Sequence, residues 1–391
     1  MIIVALIIFL FSLLSWWQIT FCPRRLTRLP AISASPLTSP PRVSIIVPAC
    51  NEEAAIRDTL TSLDRQDYPN LEIIVINDRS TDNTGPVIKE LLPRLSRVRL
   101  IEVSRLPEGW LGKAHALYLG ARQADGDYLL FTDGDVVMEG STLSRAVARM
   151  VSRQLDHLAI IFQNSSGGGL LNGIILDSLC GLFLLLKPWK AADKHSKYFI
   201  GVGAFNMVKR STYEDIGGHR SIRMHPIDDI MLGKRIKEAG GAQECLKGED
   251  FLNVPWYSTV QEMINGLMKN VFALYNYNIA YLAAGALIVF FMTIFPFWSA
   301  LLTTGITRSL FITALFVRFL MVVSGSRFLG LPLASCLYFL ITPYLIIFIM
   351  VKGCCRTLMD RGITWRGSHY PLAELKKSEP LISIKWLLKP I

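Results

Sequence analysis

Several common motifs of cofactor and nucleic-acid chemistry are missing from this sequence. It has neither the GxGxxG loop of dinucleotide-binding folds nor the GxxxxGK[ST] loop of P-loop proteins, which argues against both classes. Its seven cysteines form no CxxC pair and have no histidine partners at zinc spacing, so neither a disulfide framework nor a zinc site is indicated. No basic stripe is interleaved with aromatic residues, and the net charge of +10 therefore does not indicate nucleic-acid binding.

Charge is also missing from the N-terminal stretch, which is long enough to cross a bilayer before the first charged side chain, Arg24. Arg25 and Arg28 follow at once, so the basic residues come after the apolar run. A cleaved signal peptide has the opposite order, and no small-x-small cleavage site stands out. We therefore predict a retained transmembrane anchor at residues 1–23 and a linker rich in proline, serine and threonine at 24–42.

Two more uncharged stretches lie towards the C-terminus, at 270–307 and 328–351. The apolar segment between them contains Arg318, which is costly in lipid and is expected to face protein, water or an anionic group. We predict a transmembrane region of three or four segments at 266–352. The tail at 353–391 holds seven Lys/Arg against three Asp/Glu and is predicted to be cytoplasmic, because basic flanks mark that side.

Residues 43–265 alternate short apolar runs with helical patterns, at a spacing typical of a parallel sheet with crossover helices. We predict strands at 42–48, 71–76, 97–103 and 128–132, and helices at 52–63, 84–95 and 113–124. The fold class is therefore α/β, with a doubly wound, mostly parallel sheet in one domain and α-helical transmembrane segments outside it.

Carboxylate or amide side chains follow three of these strands: Asn51 with Glu52, Asp78, and Asp133 with Asp135. Strand ends at one edge of a parallel sheet converge, so we expect one site; turn preference explains any single residue, but explains three cases less well. The carboxylates of Asp133 and Asp135 repel unless a cation shares them, and hard oxygen ligands suit Mg²⁺ or Mn²⁺. Asn51 is also expected to cap the helix that follows.

Two segments in the middle of the chain are harder to place from sequence. Residues 166–190 are apolar, with only Asp177 inside and Trp189 near the end, and predict a helix at the membrane interface. A membrane span is the alternative for this segment. Residues 198–209 predict a strand and tight turn that either line a pocket or belong to the core.

Five motifs, taken in order, resemble the membrane-bound family 2 glycosyltransferases. The chain is most similar to the branch that holds ceramide glucosyltransferases and the bacterial hopanoid- and carotenoid-associated enzymes, and Ile363-Thr-Trp-Arg-Gly367 also resembles that branch. The five motifs are Pro48-Ala-Cys-Asn-Glu52, Asn77-Asp-Arg-Ser-Thr-Asp82, Gly109-Trp-Leu-Gly-Lys113, Asp133-Gly-Asp135 and Asp228-Asp229.

The resemblance implies a GT-A fold for residues 43–265, a nucleotide-diphosphate sugar donor, and inversion at the anomeric carbon. It assigns nucleotide-sugar binding to Pro48, Asn51, Glu52, Asp78, Lys113, Asp133 and Gly134. It also assigns the Mg²⁺ or Mn²⁺ ion to Asp133 and Asp135, and the catalytic base to Asp229. The Asp228–Asp229 pair opens a predicted helix whose dipole stabilises it, and Asp228 is the second candidate for the base.

The sequence departs from the family pattern at one motif. The family often has Gln-x-x-Arg-Trp after the base, whereas Gln261 is followed here by Glu-Met-Ile-Asn-Gly. This departure argues against a processive polymer synthase, which uses the motif to hold its growing chain. Lys269-Asn270 and Trp365-Arg366 are candidate substitutes.

The resulting hypothesis is an integral membrane glycosyltransferase, a hexosyl- or N-acetylhexosaminyl-transferase, that moves a sugar from a UDP-sugar to a lipid acceptor from the bilayer. A bacterial inner-membrane location with a cytoplasmic catalytic domain is expected. Two alternatives remain open: a processive polysaccharide synthase, and a transporter or scaffold that binds nucleotide sugar without transferring it.

Overall fold

A computed structural model describes residues 1–34, 38–383 and 386 of the chain, which forms two compact units. The helical unit comprises Met1–Leu26, Ser166–Trp189 and Trp256–Asp360. The sheet unit comprises Thr27–Ser165, Lys190–Pro255 and Arg361–Ile391. The tail predicted from residue 353 onward is thus divided, since its first residues continue a helix of the helical unit and the rest belongs to the sheet unit.

The bounds of the regular elements are as follows. The strands are β1 (Thr27–Arg28), β2 (Val43–Ala49), β3 (Leu71–Asp78), β4 (Val98–Val103), β5 (Tyr128–Phe131), β6 (Val137–Met138), β7 (His157–Ile161), β8 (Gln163–Asn164), β9 (Asn206–Lys209), β10 (Gln243–Lys247), β11 (Leu252–Val254), β12 (Gly362–Trp365) and β13 (Ser368–Pro371). The α-helices are α1 (Ile2–Phe21), α2 (Ile56–Asp64), α3 (Thr84–Leu91), α4 (Gly112–Gln123), α5 (Thr142–Ser152), α6 (Gly169–Leu186), α7 (Arg210–Asp215), α8 (Asp228–Glu238), α9 (Val260–Leu274), α10 (Ile279–Val289), α11 (Phe295–Leu302), α12 (Gly305–Leu329), α13 (Thr342–Met359) and α14 (Leu372–Leu375).

The main sheet has eight strands in the order β1-β10-β7-β9-β5-β2-β3-β4. All neighbours are parallel except β9, which runs antiparallel to both β5 and β7. The prediction of a doubly wound, mostly parallel sheet is confirmed. Two smaller sheets accompany it, one with the order β6-β11-β8 and the other a hairpin of β12 and β13.

The core of the sheet unit forms because β2 and β3 are apolar on both faces. Ile45 and Val75 are fully buried on one face, where they pack in one cluster with Ile56, Leu60 and Leu63 of α2. The spacing of these α2 residues places them on a single helix face. Helix α4 also packs against β2 and β3. Removing each such side chain from water contributes about 1.5–3 kcal/mol, which fixes the strand ends that carry polar residues.

The helical unit contains five segments that are long and apolar enough to cross a membrane. They are Ile2–Arg25, Gly169–Lys190, Ile279–Leu302, Gly305–Leu329 and Thr342–Met359. The first coincides with the segment predicted to be an anchor, and the last three lie within the predicted C-terminal region; that these segments cross a membrane stays a prediction. The second is the segment predicted to lie at the interface, and that placement stays a prediction because its length and composition also suit a span.

Arg318 of α12 has an anionic partner within the helical unit, as expected for a charge in an apolar segment. Its guanidinium donates to both oxygens of Asp177 on α6, at 3.0 and 2.8 Å, and also to the carbonyl of Phe339. The Thr342 hydroxyl donates to Asp177 Oδ2 at 2.6 Å. Both charged side chains are more than nine-tenths buried, so each requires the other.

We expect Asp177→Leu to destabilise the chain by about 3–5 kcal/mol, because it leaves a buried guanidinium without its counter-charge. The double variant Asp177→Leu/Arg318→Leu should recover much of that loss. Thermal unfolding in detergent measures both effects, and Asp360→Leu, which removes an exposed ion pair with Arg356, is the control that should change stability little. Equal stability of the single and double variants would contradict this assignment.

Candidate active site

The expected convergence of strand ends occurs at one edge of the main sheet. Ala49 at the end of β2 pairs with Asn77 of β3, and Ile46 of β2 pairs with Phe131 at the end of β5. This register places Asp78 and the residues that follow Ala49 and Phe131 at the same edge. The polar residues that follow these strands are therefore neighbours in space, although they are separated in the chain by crossover helices.

Asn51 ties two of these strand ends together instead of capping α2. Its backbone has φ of +57°, in the left-handed region that Asn tolerates better than most residues. Its Oδ1 accepts the backbone N–H of Thr81 at 2.8 Å, and its own N–H donates to Ser80 Oγ. The prediction of a helix cap is wrong, because α2 begins only at Ile56 and this amide faces the loop after β3.

Lys113, at the start of α4, is the cation among the acidic residues. Its Nζ lies 2.6 Å from Asp133 Oδ1 and 3.7 Å from Asp228 Oδ1. Burial opposes the charge on this lysine, but the carboxylates of Asp133 and of the Asp228–Asp229 pair outweigh burial and raise its pKa. The lysine thus stays charged and joins the end of β5 to the start of α8.

Asp229 lies in the first turn of α8, beside the Asp133 carboxylate. Gly203 separates the two: a Cβ added there would lie 2.6 Å from Asp133 Oδ2 and 3.5 Å from Asp229 Oδ2. Burial and the charge of Asp228 raise the pKa of Asp229 to about 6, and Lys113 acts in the opposite direction. A carboxylate of this kind is mostly ionised at neutral pH and is a better proton acceptor than an ordinary aspartate.

A small cleft runs between these groups, with about 210 Å³ of space not occupied by atoms. Its lining combines the two acidic ends of the site with one cation and three polar side chains from outside the predicted motifs. The lining residues are Lys113, Leu117, Phe131, Thr132, Asp133, Gly203, Asn206, His219, Asp228 and Asp229.

Asp133 and Asp135 fit a divalent ion that is shared with a phosphate ligand. Burial, and then the charges of Asp133 and Glu52, raise the pKa of Asp135 to about 7, so the ionised form is stabilised only when a cation arrives. Within residues 1–34, 38–383 and 386, no group of three or more His, Cys, Asp or Glu side chains could hold a metal by itself. A Mg²⁺ or Mn²⁺ ion at this pair would therefore complete its shell with diphosphate oxygens and water, as Mg²⁺ commonly does.

The remaining predicted residues lie beside this pair. The carbonyl of Gly134 accepts the Thr59 hydroxyl at 2.9 Å, and a Cβ at Gly134 would lie 3.2 Å from Glu52 Cγ and 3.3 Å from the Pro48 carbonyl. Asp78 is buried at the end of β3. The residues predicted to bind the nucleotide are therefore brought together with Asp133 and Asp135, whereas Lys269-Asn270 belongs to α9 of the helical unit.

Two arginines already occupy the carboxylates expected to hold the nucleoside. Arg79 contacts both oxygens of Asp78, at 2.8 and 2.9 Å. Arg366, which precedes β13, donates to Glu52 Oε1 at 2.5 Å and to the Asn51 carbonyl at 3.0 Å. Arg366 was predicted together with Trp365 only as a substitute for the missing motif, and Arg79 was not predicted to have a separate role.

A buried hydrogen-bond network behind Asp229 was also missed. Gln243 accepts the Ile200 N–H with Oε1, so its Nε2 donates to His157 Nδ1 at 2.7 Å. His157 must therefore donate from Nε2 to Asn206 Oδ1, and Asn206 Nδ2 donates to the Asp229 carbonyl at 3.3 Å. The pocket alternative predicted for residues 198–209 was the available signal, because Asn206 lies in that segment.

Comparison with known proteins identifies this unit. Residues 44–217 match the family model described as Glycosyl transferase family 2. The chain carries a family 2 glycosyltransferase domain. The predicted resemblance is confirmed at the level of this domain, which contains Lys113 and the residues predicted to bind the metal and the nucleotide.

Two relatives with different named activities are similar to parts of this chain. The chain is 24% identical over 242 residues to the 4,4'-diaponeurosporenoate glycosyltransferase of Staphylococcus haemolyticus, which covers 59% of this chain and 60% of that protein. It is 32% identical over 130 residues to the poly(ribitol-phosphate) beta-N-acetylglucosaminyltransferase of Staphylococcus aureus, with 33% of this chain and 22% of that protein covered. The chain thus spans three fifths or less of the length of these two relatives.

Among solved structures, a mannosyltransferase from Pyrobaculum calidifontis in complex with GDP-Man and Mn²⁺ is similar to this chain with a TM-score of 0.52. The alignment has 17% identity and covers 91% of this chain and 98% of the mannosyltransferase. This similarity supports the GT-A-like fold of the glycosyltransferase domain with its accompanying helices.

The buried His157 should make the chain sensitive to acid. Burial lowers the pKa of His157 to about 4, below its ordinary 6.5, so the unfolded state binds a proton that the folded state does not. Stability is therefore lost as the pH falls below 6.5, by about 1.4 kcal/mol at pH 5.5. Thermal unfolding at pH 7.5 and 5.5 should show a smaller acid loss for His157→Gln than for the wild type. The exposed His195→Gln control should behave like the wild type, and identical losses in all three proteins would contradict the prediction.

Proposed function

We propose that this chain is an inverting glycosyltransferase that transfers a sugar from a UDP-sugar to a membrane lipid. The observation that carries the proposal is the pair formed by Asp229 and Asp133, which lie on either side of Gly203. One carboxylate belongs to the proposed diphosphate end of the site, and the other has a raised pKa and is suited to accept a proton. A sugar placed between them would pass from the diphosphate to the acceptor.

The reaction requires one displacement and one base. The acceptor oxygen attacks the anomeric carbon, the bond from that carbon to the diphosphate oxygen breaks, and UDP carries away the bonding electrons. Asp229 takes the proton of an acceptor hydroxyl, which raises the nucleophilicity of its oxygen. An acceptor carboxylate has no proton to lose, so the base would be needed for hydroxyl acceptors only. Direct displacement of this kind inverts the anomeric centre.

The leaving diphosphate would be held by Lys113 and by the Asp133–Asp135 pair. A Mg²⁺ or Mn²⁺ ion bound at that pair would supply neutralisation of the charge that develops on the leaving group. The mannosyltransferase with the similar fold is described in complex with Mn²⁺. Asn51, Glu52 and Asp78 would bind the nucleoside, because their amide and carboxylate groups surround the end of β2.

The nature of the acceptor is proposed from the helical unit and from one relative. Five segments are long and apolar enough to span a membrane, so an acceptor from the bilayer needs no aqueous transit. The Staphylococcus haemolyticus relative is named for glycosyl transfer to diaponeurosporenoate, an apolar carboxylic acid. We propose an inner-membrane enzyme whose catalytic domain faces the cytoplasm, where nucleotide sugars are made.

Transfer is tested with membranes that contain the wild type, Asp229→Asn or Asp228→Asn, supplied with Mn²⁺ and labelled UDP-glucose, UDP-N-acetylglucosamine or GDP-mannose. We expect label in the organic phase with a UDP-sugar and wild type, and, for a hydroxyl acceptor, a loss of about 100-fold or more in Asp229→Asn. Loss in Asp228→Asn alone would move the base to Asp228. Label in water-soluble polymer would support a polysaccharide synthase, and nucleotide binding without any transfer would support a scaffold.

Metal dependence gives a separate prediction. Chelation with EDTA should abolish transfer, and Mn²⁺ should restore it. Asp135→Asn should require about tenfold more Mn²⁺ than the wild type for half-maximal activity, because one of two protein ligands loses its charge. Asp125→Asn, an exposed carboxylate away from this edge, is the matched control. Activity in EDTA equal to that in Mn²⁺ would contradict the assignment of Asp133 and Asp135.

A further inference from the structure

The hairpin of β12 and β13 lies at the same sheet edge as the predicted nucleotide site. Its two-residue turn, Arg366-Gly367, has φ values of +49° and +77°, and Trp365 pairs directly with Ser368. Two positive φ values are typical of the tight turns that match the twist of paired strands. The turn therefore projects Arg366 from a short, rigid support at a fixed place.

Three residues join this hairpin region to the strand-end loops and to the start of α4. Arg366 donates to Glu52 and to the Asn51 carbonyl, as described above. Arg79 donates to Ser368 Oγ at 2.8 Å, and the Tyr370 hydroxyl accepts the N–H of Gly112 at 3.1 Å. Each contact ends on a motif that the sequence analysis linked to nucleotide binding. The hairpin is thus part of the wall around that region.

Arg366 is the most exposed of three cations at an edge of the sheet that is rich in carboxylates. A nucleoside diphosphate must enter a site that holds the carboxylates of Glu52, Asp78, Asp133, Asp135, Asp228 and Asp229. Lys113 is engaged by Asp133 and Asp228, and Arg79 is engaged by both oxygens of Asp78. Arg366 has the most exposed side chain of the three cations, 38% against 22% and 21%.

Exposure decides which cation is available to a ligand. An ion pair that remains open to water is weak, so Glu52 can exchange its partner or share it with little loss. The guanidinium group presents a planar fork of donors that matches phosphate oxygens, and it never loses its charge near neutral pH. Arg366 is therefore the cation at this edge that can best reach an incoming diphosphate.

We propose that the β12–β13 hairpin closes one side of the donor site and that Arg366 binds the diphosphate of the nucleotide. Ser368 and Tyr370 are positioning residues, because they fasten the hairpin to Arg79 and Gly112. The proposal rests on the proposed function, since it assumes that a nucleotide sugar binds at this edge. It adds a contact from a segment more than 300 residues away from Glu52 in the chain.

The first test measures binding of UDP to the full chain in detergent with Mn²⁺ by calorimetry. Arg366→Ala should raise the Kd for UDP by about tenfold or more, and Arg366→Lys should give an intermediate value because charge is kept and the fork is lost. Lys377→Ala, which removes an exposed cation from the same C-terminal segment, should change the Kd less than twofold. A Kd for Arg366→Ala equal to that of the wild type overturns the proposal.

A double-variant cycle separates contact with the nucleotide from a purely structural role. If Arg366 only holds Glu52 in place, its replacement has no effect once Glu52→Gln has removed that partner's charge. If Arg366 binds the diphosphate, Arg366→Ala should still raise the Kd for UDP about fivefold or more in the Glu52→Gln background. Loss of the effect in that background overturns the proposal.

Limited proteolysis of the wild-type protein tests the proposal without a variant whose folding could be impaired. Saturating UDP should slow tryptic cleavage after Arg361 and Arg366 at least several-fold, relative to cleavage after Lys194 in an exposed loop. Unchanged cleavage in the hairpin overturns the proposal. If the wild type binds neither UDP nor GDP, the proposed function fails together with it. If UDP binds equally to wild type and Arg366→Ala, only the role of the hairpin fails.

Discussion

Repulsion between carboxylates is the constraint on which this site depends. The end of β5 and the start of α8 each contribute two aspartates, and without compensation such groups would be driven apart or protonated. Lys113 meets one member of each pair, so a single ammonium group links two elements that are about a hundred residues apart in the chain. The compensation is incomplete, as the raised pKa values of Asp135 and Asp229 show. The Asp133–Asp135 pair can therefore accept a further positive charge, and Asp229 can accept a proton.

The protein fixes the two ends by different means. The proposed metal pair, Asp133 and Asp135, follows a strand buried in the centre of a sheet, so its position is set by apolar packing. The proposed base, Asp229, lies at a helix start, where Asn206 donates to its main-chain carbonyl, and Asn206 is oriented in turn by His157 and Gln243. Because every donor in that chain of bonds has one acceptor, the neutral histidine has only one arrangement that satisfies its neighbours. Hydrogen bonds between buried polar residues thus fix the position of α8, whereas hydrophobic contacts fix that of β5.

Much of the fold and part of the site could be predicted from the sequence. Alternating apolar runs and helical patterns identified the parallel sheet, because crossover connections leave a regular spacing, and strand-end carboxylates identified the edge. The capping role of Asn51 could not be judged, because its amide binds a loop thirty residues away and not its own helix. The network of His157, Asn206 and Gln243 has no local pattern, since its members pair across strands. The antiparallel direction of β9 likewise could not be predicted from the periodicity of apolar residues.

Gly203 has a consequence beyond leaving room for its neighbours. The missing side chain leaves room between Asp133, proposed to face the donor, and Asp229, proposed to face the acceptor. Even a methyl group at Gly203 would clash with Asp133 Oδ2 at 2.6 Å, whereas it would make only an ordinary contact with Asp229 Oδ2 at 3.5 Å. The distance between the Asp133 and Asp229 carboxylates therefore depends on a residue that carries no functional group. A search restricted to reactive side chains would miss this residue.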